Sequence, residues 1–257
     1  MGATSALKND SVRNRVSEDE WQTRVNLAAA YRLAAHHGWT HMIYNHISAR
    51  VPGRDEHFLI NPLGFFYREI TASCLVKVDL DGTIVDETPY SIIQAGFVIH
   101  SAVHRARPDV KCVMHTHTTA GIAVGAQKQG LLPHSMGACL FYNRIGYHAY
   151  EGPSLDLAER ERLAQNLGLH NALVLRNHGL LTCGPNIGAA FHHMYQLEMA
   201  CQSQIAAMAG GTELHLPPPE VCEHSARLTA RPDKNPERLI WPAYIRLCDD
   251  LYPDYKT

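Results

Sequence analysis

The chain has 257 residues, 46% hydrophobic and 19% charged, a balance that predicts one large or two small folded domains and excludes collagen-like repeats, coiled coil and bulk disorder. Lys plus Arg number 23 against 25 Asp plus Glu, a formal net charge of −2, so no global field draws the molecule to nucleic acid or to an anionic membrane. No apolar run approaches the ~18 residues of a membrane span and the N-terminus lacks the apolar middle of a secretory signal, so a cytoplasmic protein with no nucleic-acid or membrane partner is expected.

Taken in order, residues 1–16 are polar and without pattern, and are expected to form a tail or docking arm. Ser17 and Glu20 have the spacing of a capping box, and Trp21, Val25, Leu27, Ala28, Tyr31 and Leu33 recur at helical spacing up to Gly38, which predicts an amphipathic helix. Short strands are expected at 47–51, 58–60, 76–80 and 83–85, with Asp81-Gly82 as a hairpin turn and 61–64 as a loop. Helical spacing returns over 92–105, Arg107-Pro108-Asp109 breaks it, and 110–114 reads as a strand running into His115-Thr116-His117. Residues 118–127 and 155–167 read as helices, 172–175 as a strand running into Arg176-Asn177-His178-Gly179, and 187–209 as a final helix. Residues 17–211 are thus expected to be one α/β domain, and 212–257, opened by Pro217-Pro218-Pro219, a Pro-rich arm.

Seven Cys with no C-x-x-C pair fit reduced, buried thiols. The 17 His are the compositional oddity, and their spacing carries the chemistry. His115 and His117 are two apart at a strand end, so both imidazoles leave one face. His178 lies at the end of another expected strand. If those strands are neighbours, three imidazoles meet at one sheet edge, the three-ligand open site of zinc or another first-row metal. His100 and His104, four apart on a helix, form a competing pair, read instead as one core-facing and one solvent-facing residue.

QAGFVIH at 94–100, RPDVKCVMHTH at 107–117, GLLP at 130–133 and LRNHGL at 175–180 together resemble the class II aldolase and adducin head-domain family, in its adducin-like bacterial branch. The resemblance covers about residues 21–211. It implies a three-layer α/β/α sandwich around a mostly antiparallel sheet, assembled as a homotetramer with active sites between subunits. It also implies a divalent metal, zinc above all with Fe2+ or Mn2+ as alternatives, held by His115, His117 and His178. The metal would act as Lewis acid toward the hydroxyl and carbonyl oxygens of a small-molecule substrate.

Departures from the family narrow this. Sugar-phosphate aldolases carry Ser-Ser-Glu where this chain has Gln94, Ala95 and Gly96, so the family's acid/base carboxylate is absent. Their phosphate grip, a Gly-Asn-x-Ser loop, reads here Tyr44 to Ser48, with Asn45 and Ser48 retained and Asn61 to Gly64 resembling the second loop. Adducin heads share the Gln-Ala-Gly-Phe motif but generally lack the full histidine triad. The resulting expectation is a lyase that cleaves or decarboxylates a small oxo or hydroxy acid. An iron(II) oxygenase on the same site and a non-catalytic adducin-like module are the alternatives. His100, His134 and Tyr142 are the candidates to move a proton in place of the missing Glu. Asn45, Ser48, Asn61, Gly64 and Arg176 are the candidate substrate contacts.

Overall fold

The structure, a computed structural model, describes residues 12–152, 157–229 and 237–257. The expected tail falls mostly on residues 1–11, and the start of the helix expected at 155 on 153–156, all outside the described residues.

Helix α1 (Glu18–His36) begins where the capping pattern puts it: Ser17 Oγ accepts the Glu20 N–H at 3.2 Å, and Glu18, Asp19 and Glu20 sit in the first turn, where the helix dipole favours negative charge. Strands β1 (His46–Val51), β2 (Arg54–Ile60) and β3 (Val76–Asp79) follow, then α2 (Gln94–Ala106), β4 (Cys112–Thr116), α3 (Thr119–Ala126), the short α4 (Met136–Cys139) and β5 (Gly146–His148). Helix α5 (Glu159–Leu167), β6 (Ala172–Leu175), β7 (Gly179–Gly184), α6 (Ile187–Met208), α7 (Pro219–Thr229) and α8 (Glu237–Leu251) follow, and short 3-10 turns lie at Tyr67–Glu69 and Pro253–Lys256.

The seven strands form one sheet in the order β3-β2-β1-β4-β7-β6-β5. All neighbours are antiparallel except β5 and β6. Strand alternation sorts its side chains onto two faces. Ile47, Ala49, Cys112, Met114 and Leu180 enter one core with Leu27, Tyr31 and Leu33 of α1 and Phe191, Met194 and Leu197 of α6. Val113 and Leu181 enter another with Ile99 and Val103 of α2 and Leu163 and Leu167 of α5. This is the expected three-layer α/β/α sandwich with a mostly antiparallel sheet.

Three local expectations differ from what forms. The strand expected at 83–85 shrinks to a single bridge, Val78 to Ile84. Asp79 Oδ1 takes the Asp81 and Thr83 N–H groups into the turn, and Asp86 is drawn into an ion cluster. Strand β7 was not anticipated, and it separates β4 from β6, so the two histidine-bearing strands are not neighbours. The C-terminal segment is largely helical, and Trp241, Tyr244, Cys248 and Tyr255 join the α1 and α6 core. There Arg32 holds Asp254 at 2.8 Å.

The α1 end of the core is fastened by charge. Arg24, 1% exposed, bonds Glu20 at 3.0 Å and donates to the Leu75 and Ala72 carbonyls, while Lys77 holds the other Glu20 oxygen at 2.8 Å. Removing one member of such a buried cluster strands the rest. Arg24→Ala is therefore expected to cost about 3 kcal/mol, measured as a lower urea midpoint at unchanged m value. A loss no larger than the ~0–1 kcal/mol of a surface pair would refute this role.

Candidate metal centre

His115 is the second-last residue of β4 and fully buried. Its Nδ1 lies 2.9 Å from the Leu180 carbonyl of β7. A carbonyl only accepts, so Nδ1 carries the hydrogen and Nε2 is bare, the arrangement that orients a metal-binding imidazole. His117 continues the same face just past the strand, with its Nε2 2.7 Å from His115 Nε2 and its Nδ1 3.1 Å from His41 Nδ1.

His178 arrives from the turn between β6 and β7, not from a strand paired with β4. Asn177 takes a left-handed conformation, φ 57°, and the His178 N–H returns to the Leu175 carbonyl, closing the hairpin. Gly179 must be glycine, because a Cβ there would lie 2.2 Å from the Thr116 carbonyl. That close approach sets the His178 ring 4.8 Å from His115 and 4.7 Å from His117 between centroids. One ring nitrogen from each residue lies within 4.8 Å of the others. Among the described residues this is the group of three or more His, Cys, Asp or Glu placed to hold a metal ion, and an all-nitrogen set suits zinc and its first-row neighbours.

Burial keeps these imidazoles neutral, as ligands must be. His115 is held well below the ordinary histidine range, by burial first and then by His117, His178 and His46. His117 is lowered to about 3, by burial and then by His178 and His41. His178 is lowered by burial and then by His148.

Behind the cluster lies a second, fully buried polar chain. His46 on β1 pairs in register with His115, and its ring lies 4.9 Å from that of His115. His46 Nδ1 is 2.7 Å from His100 Nε2, His100 Nδ1 is 2.5 Å from Ser48 Oγ, and Ser48 Oγ is 2.8 Å from His104 Nε2. His46 occupies the room left by Gly96: a Cβ on Gly96 would meet its Cδ2 at 2.7 Å.

The other candidates fall into distinct places. His100 and His104, expected as one core-facing and one solvent-facing residue, are both buried and share Ser48, so the two do not form a separate metal pair. Ser48 is committed to the two histidines. Asn45 is 1% exposed and both its amide atoms lack a protein partner. Asn61 accepts the Tyr31 hydroxyl at 2.8 Å, and Gly64 forms an open turn at φ 91°. Arg176 lines a small cleft with His178, but its guanidinium donates to the Gln127 and Gly125 carbonyls and lies over the Tyr147 ring. His134 is held by Ser203 and the Leu132 carbonyl, and Tyr142 is half-buried beside α4. His41 and His46 were not among the sequence candidates. The alternation of His46 and Ser48 was the available signal, and it acquires meaning only once β1 is known to pair with β4.

Residues 25–205 match the family model described as Class II Aldolase and Adducin N-terminal domain. An aldolase II superfamily protein from Pseudomonas syringae is 53% identical, with a TM-score of 0.92 over 96% of this chain and 100% of that one. Rat α-adducin is 49% identical over 195 residues, 74% of this chain and 26% of the adducin. L-fuculose 1-phosphate aldolase from Glaciozyma antarctica PI12 is 27% identical, with a TM-score of 0.82 over 93% of each chain.

The buried histidines make the metal-free protein acid-labile. His46, His100, His104, His115 and His117 are all held below the ordinary range, so below about pH 6.5 the unfolded chain takes up protons that the native state refuses. Stability is full above that pH and falls as pH drops, by about 1.4 kcal/mol per pH unit for each fully shifted histidine. Urea denaturation at several pH values between about 7.5 and 5.5 measures the slope, and a flat profile would contradict it.

Proposed function

We propose that this chain, which belongs to the class II aldolase and adducin family, is a metal-dependent lyase that cleaves or decarboxylates a small oxo or hydroxy acid. The observation that carries the reading is the convergence of His115, His117 and His178, with His115 oriented by the Leu180 carbonyl. A scaffold needs no such arrangement. These three residues would hold a divalent ion, zinc foremost, which supplies Lewis acidity toward the substrate's oxygens.

The chain's own residues define what binds there. Asn45, beside His46 in the chain, holds a buried amide whose donors and acceptor no protein group claims, chemistry that suits a carboxylate or hydroxyl where a ligand reaches it. Of the three proton-transfer candidates, His100 is linked to the centre, through His46. A sugar phosphate is disfavoured, because Asn61 is taken by Tyr31 and Arg176 by backbone carbonyls. The likeness to L-fuculose 1-phosphate aldolase supports carbon–carbon lyase chemistry more than it supports that substrate.

The 49% identity to α-adducin favours a second reading, a non-catalytic oligomeric module. Element-resolved metal analysis separates the two. Protein purified anaerobically without added metal is expected to carry about one zinc or manganese per chain, lost in His115→Ala. Iron in its place would move the reading to an oxygenase, and no metal in either sample would move it to the module.

A further inference from the structure

The histidine cluster reaches the surface through His117. Its Nε2 faces His115 Nε2 at 2.7 Å and is the ligand atom, while its Nδ1 is turned away from the cluster, 3.1 Å from Nδ1 of His41. The His41 ring is exposed and lies edge-on to that of His117, 5.4 Å between centroids. Among the described residues, His41 is the hydrogen-bond partner of His117 Nδ1.

Chain geometry puts His41 there. Strand β1 runs antiparallel to β4 with His46 opposite His115, so the residues just before β1 lie by the end of β4, where His117 emerges. A tight turn spans them. The Tyr44 N–H donates to the His41 carbonyl at 3.0 Å, and Met42 takes a left-handed conformation, φ 51°, which a bulky side chain rarely adopts. The Tyr44 ring packs edge-on to that of His41, 5.8 Å between centroids. The turn and this ring contact hold the imidazole in place although it is exposed.

The chemistry of a ligand imidazole then fixes the hydrogens. A neutral imidazole carries one hydrogen, and the nitrogen that binds a metal must be bare. His117 as a ligand through Nε2 therefore bears its hydrogen on Nδ1 and donates it to His41. His41 Nδ1 must be bare to accept it, with its own hydrogen on Nε2. We propose that His41 is a positioning residue of the metal centre: as a hydrogen-bond acceptor on a surface turn, it fixes the orientation and tautomer of His117, as the Leu180 carbonyl fixes those of His115. This rests on the metal-centre reading above. It divides the centre between two supports, since one ligand is held by sheet backbone and another by an exposed side chain that can be replaced without opening the core.

Zinc affinity and ring tautomers test this. His41→Phe keeps a ring beside Tyr44 and removes the acceptor, and its zinc dissociation constant, measured by competition with a chelating dye, is expected to rise about 10- to 100-fold. His41→Asn, whose Oδ1 stands where Nδ1 stood and still accepts, is expected to stay within about threefold of the wild type. In zinc-loaded protein labelled with 15N-histidine, two-bond 1H–15N correlation spectra are expected to place the His117 hydrogen on Nδ1 and the His41 hydrogen on Nε2. Zinc bound as tightly by His41→Phe as by the wild type, an equal loss in both variants, or a His41 hydrogen on Nδ1 overturns the proposal and leaves the metal centre standing. A wild-type protein that binds zinc no more tightly than His115→Ala overturns the metal-centre reading and the proposal with it. If His41→Phe does not fold, the spectrum of the zinc-loaded wild type decides.

Discussion

Strand β4 is paired on both sides, with His46 of β1 and Leu181 of β7 both opposite His115, and this register decides which side chains share a face. Because strand side chains alternate, the same pairing that sends Ile47, Ala49, Cys112 and Met114 into the α1 and α6 core sends His46, Ser48, Val113 and His115 toward α2. A slip of one residue would exchange the two sets, placing imidazoles in an apolar core and aliphatic groups at the metal centre. The sandwich and the site are thus two faces of one hydrogen-bond ladder. Pairing on both sides also makes β4 a rigid support for ligands.

Much of this architecture is legible in the sequence, because local signals and the global arrangement agree. The Ser17 cap, the helical period of α1, the break at Pro108 and the two-residue spacing of His115 and His117 each act over a few residues, and each is realised. What was hidden depends on contacts between distant segments. Strand β7 begins at the glycine of Asn177-His178-Gly179, which reads locally as the end of a strand rather than the tip of a hairpin. That glycine answers to the Thr116 carbonyl, more than sixty positions away. The same holds for His46, His100 and His104, which share partners across β1 and α2. The spacing of His100 and His104 placed one of them in solvent, whereas Ser48 draws both inward.

The family's carboxylate position and the histidine chain belong to one exchange of volume and charge. At Gly96 the missing side chain opens a space, and the His46 ring fills it. A carboxylate at this point would face a cluster of imidazoles and attract protons to them. A neutral imidazole, itself held below the ordinary range by burial and by the other histidines, adds no such pull. The price of the exchange is a buried polar ring that must be satisfied at its other nitrogen, and His100 supplies that contact at 2.7 Å.

That demand then propagates. His100 needs a partner at its second nitrogen and finds Ser48, whose hydroxyl needs His104 in turn. Each member is buried so deeply that protonation is disfavoured, with Arg50 adding its charge against a cationic His104. A row of neutral groups in a low-dielectric interior retains strong hydrogen bonds but no freedom to reorient one at a time. The buried row therefore ties the ring beside His115 to side chains of β1 and α2 that are not members of the histidine cluster.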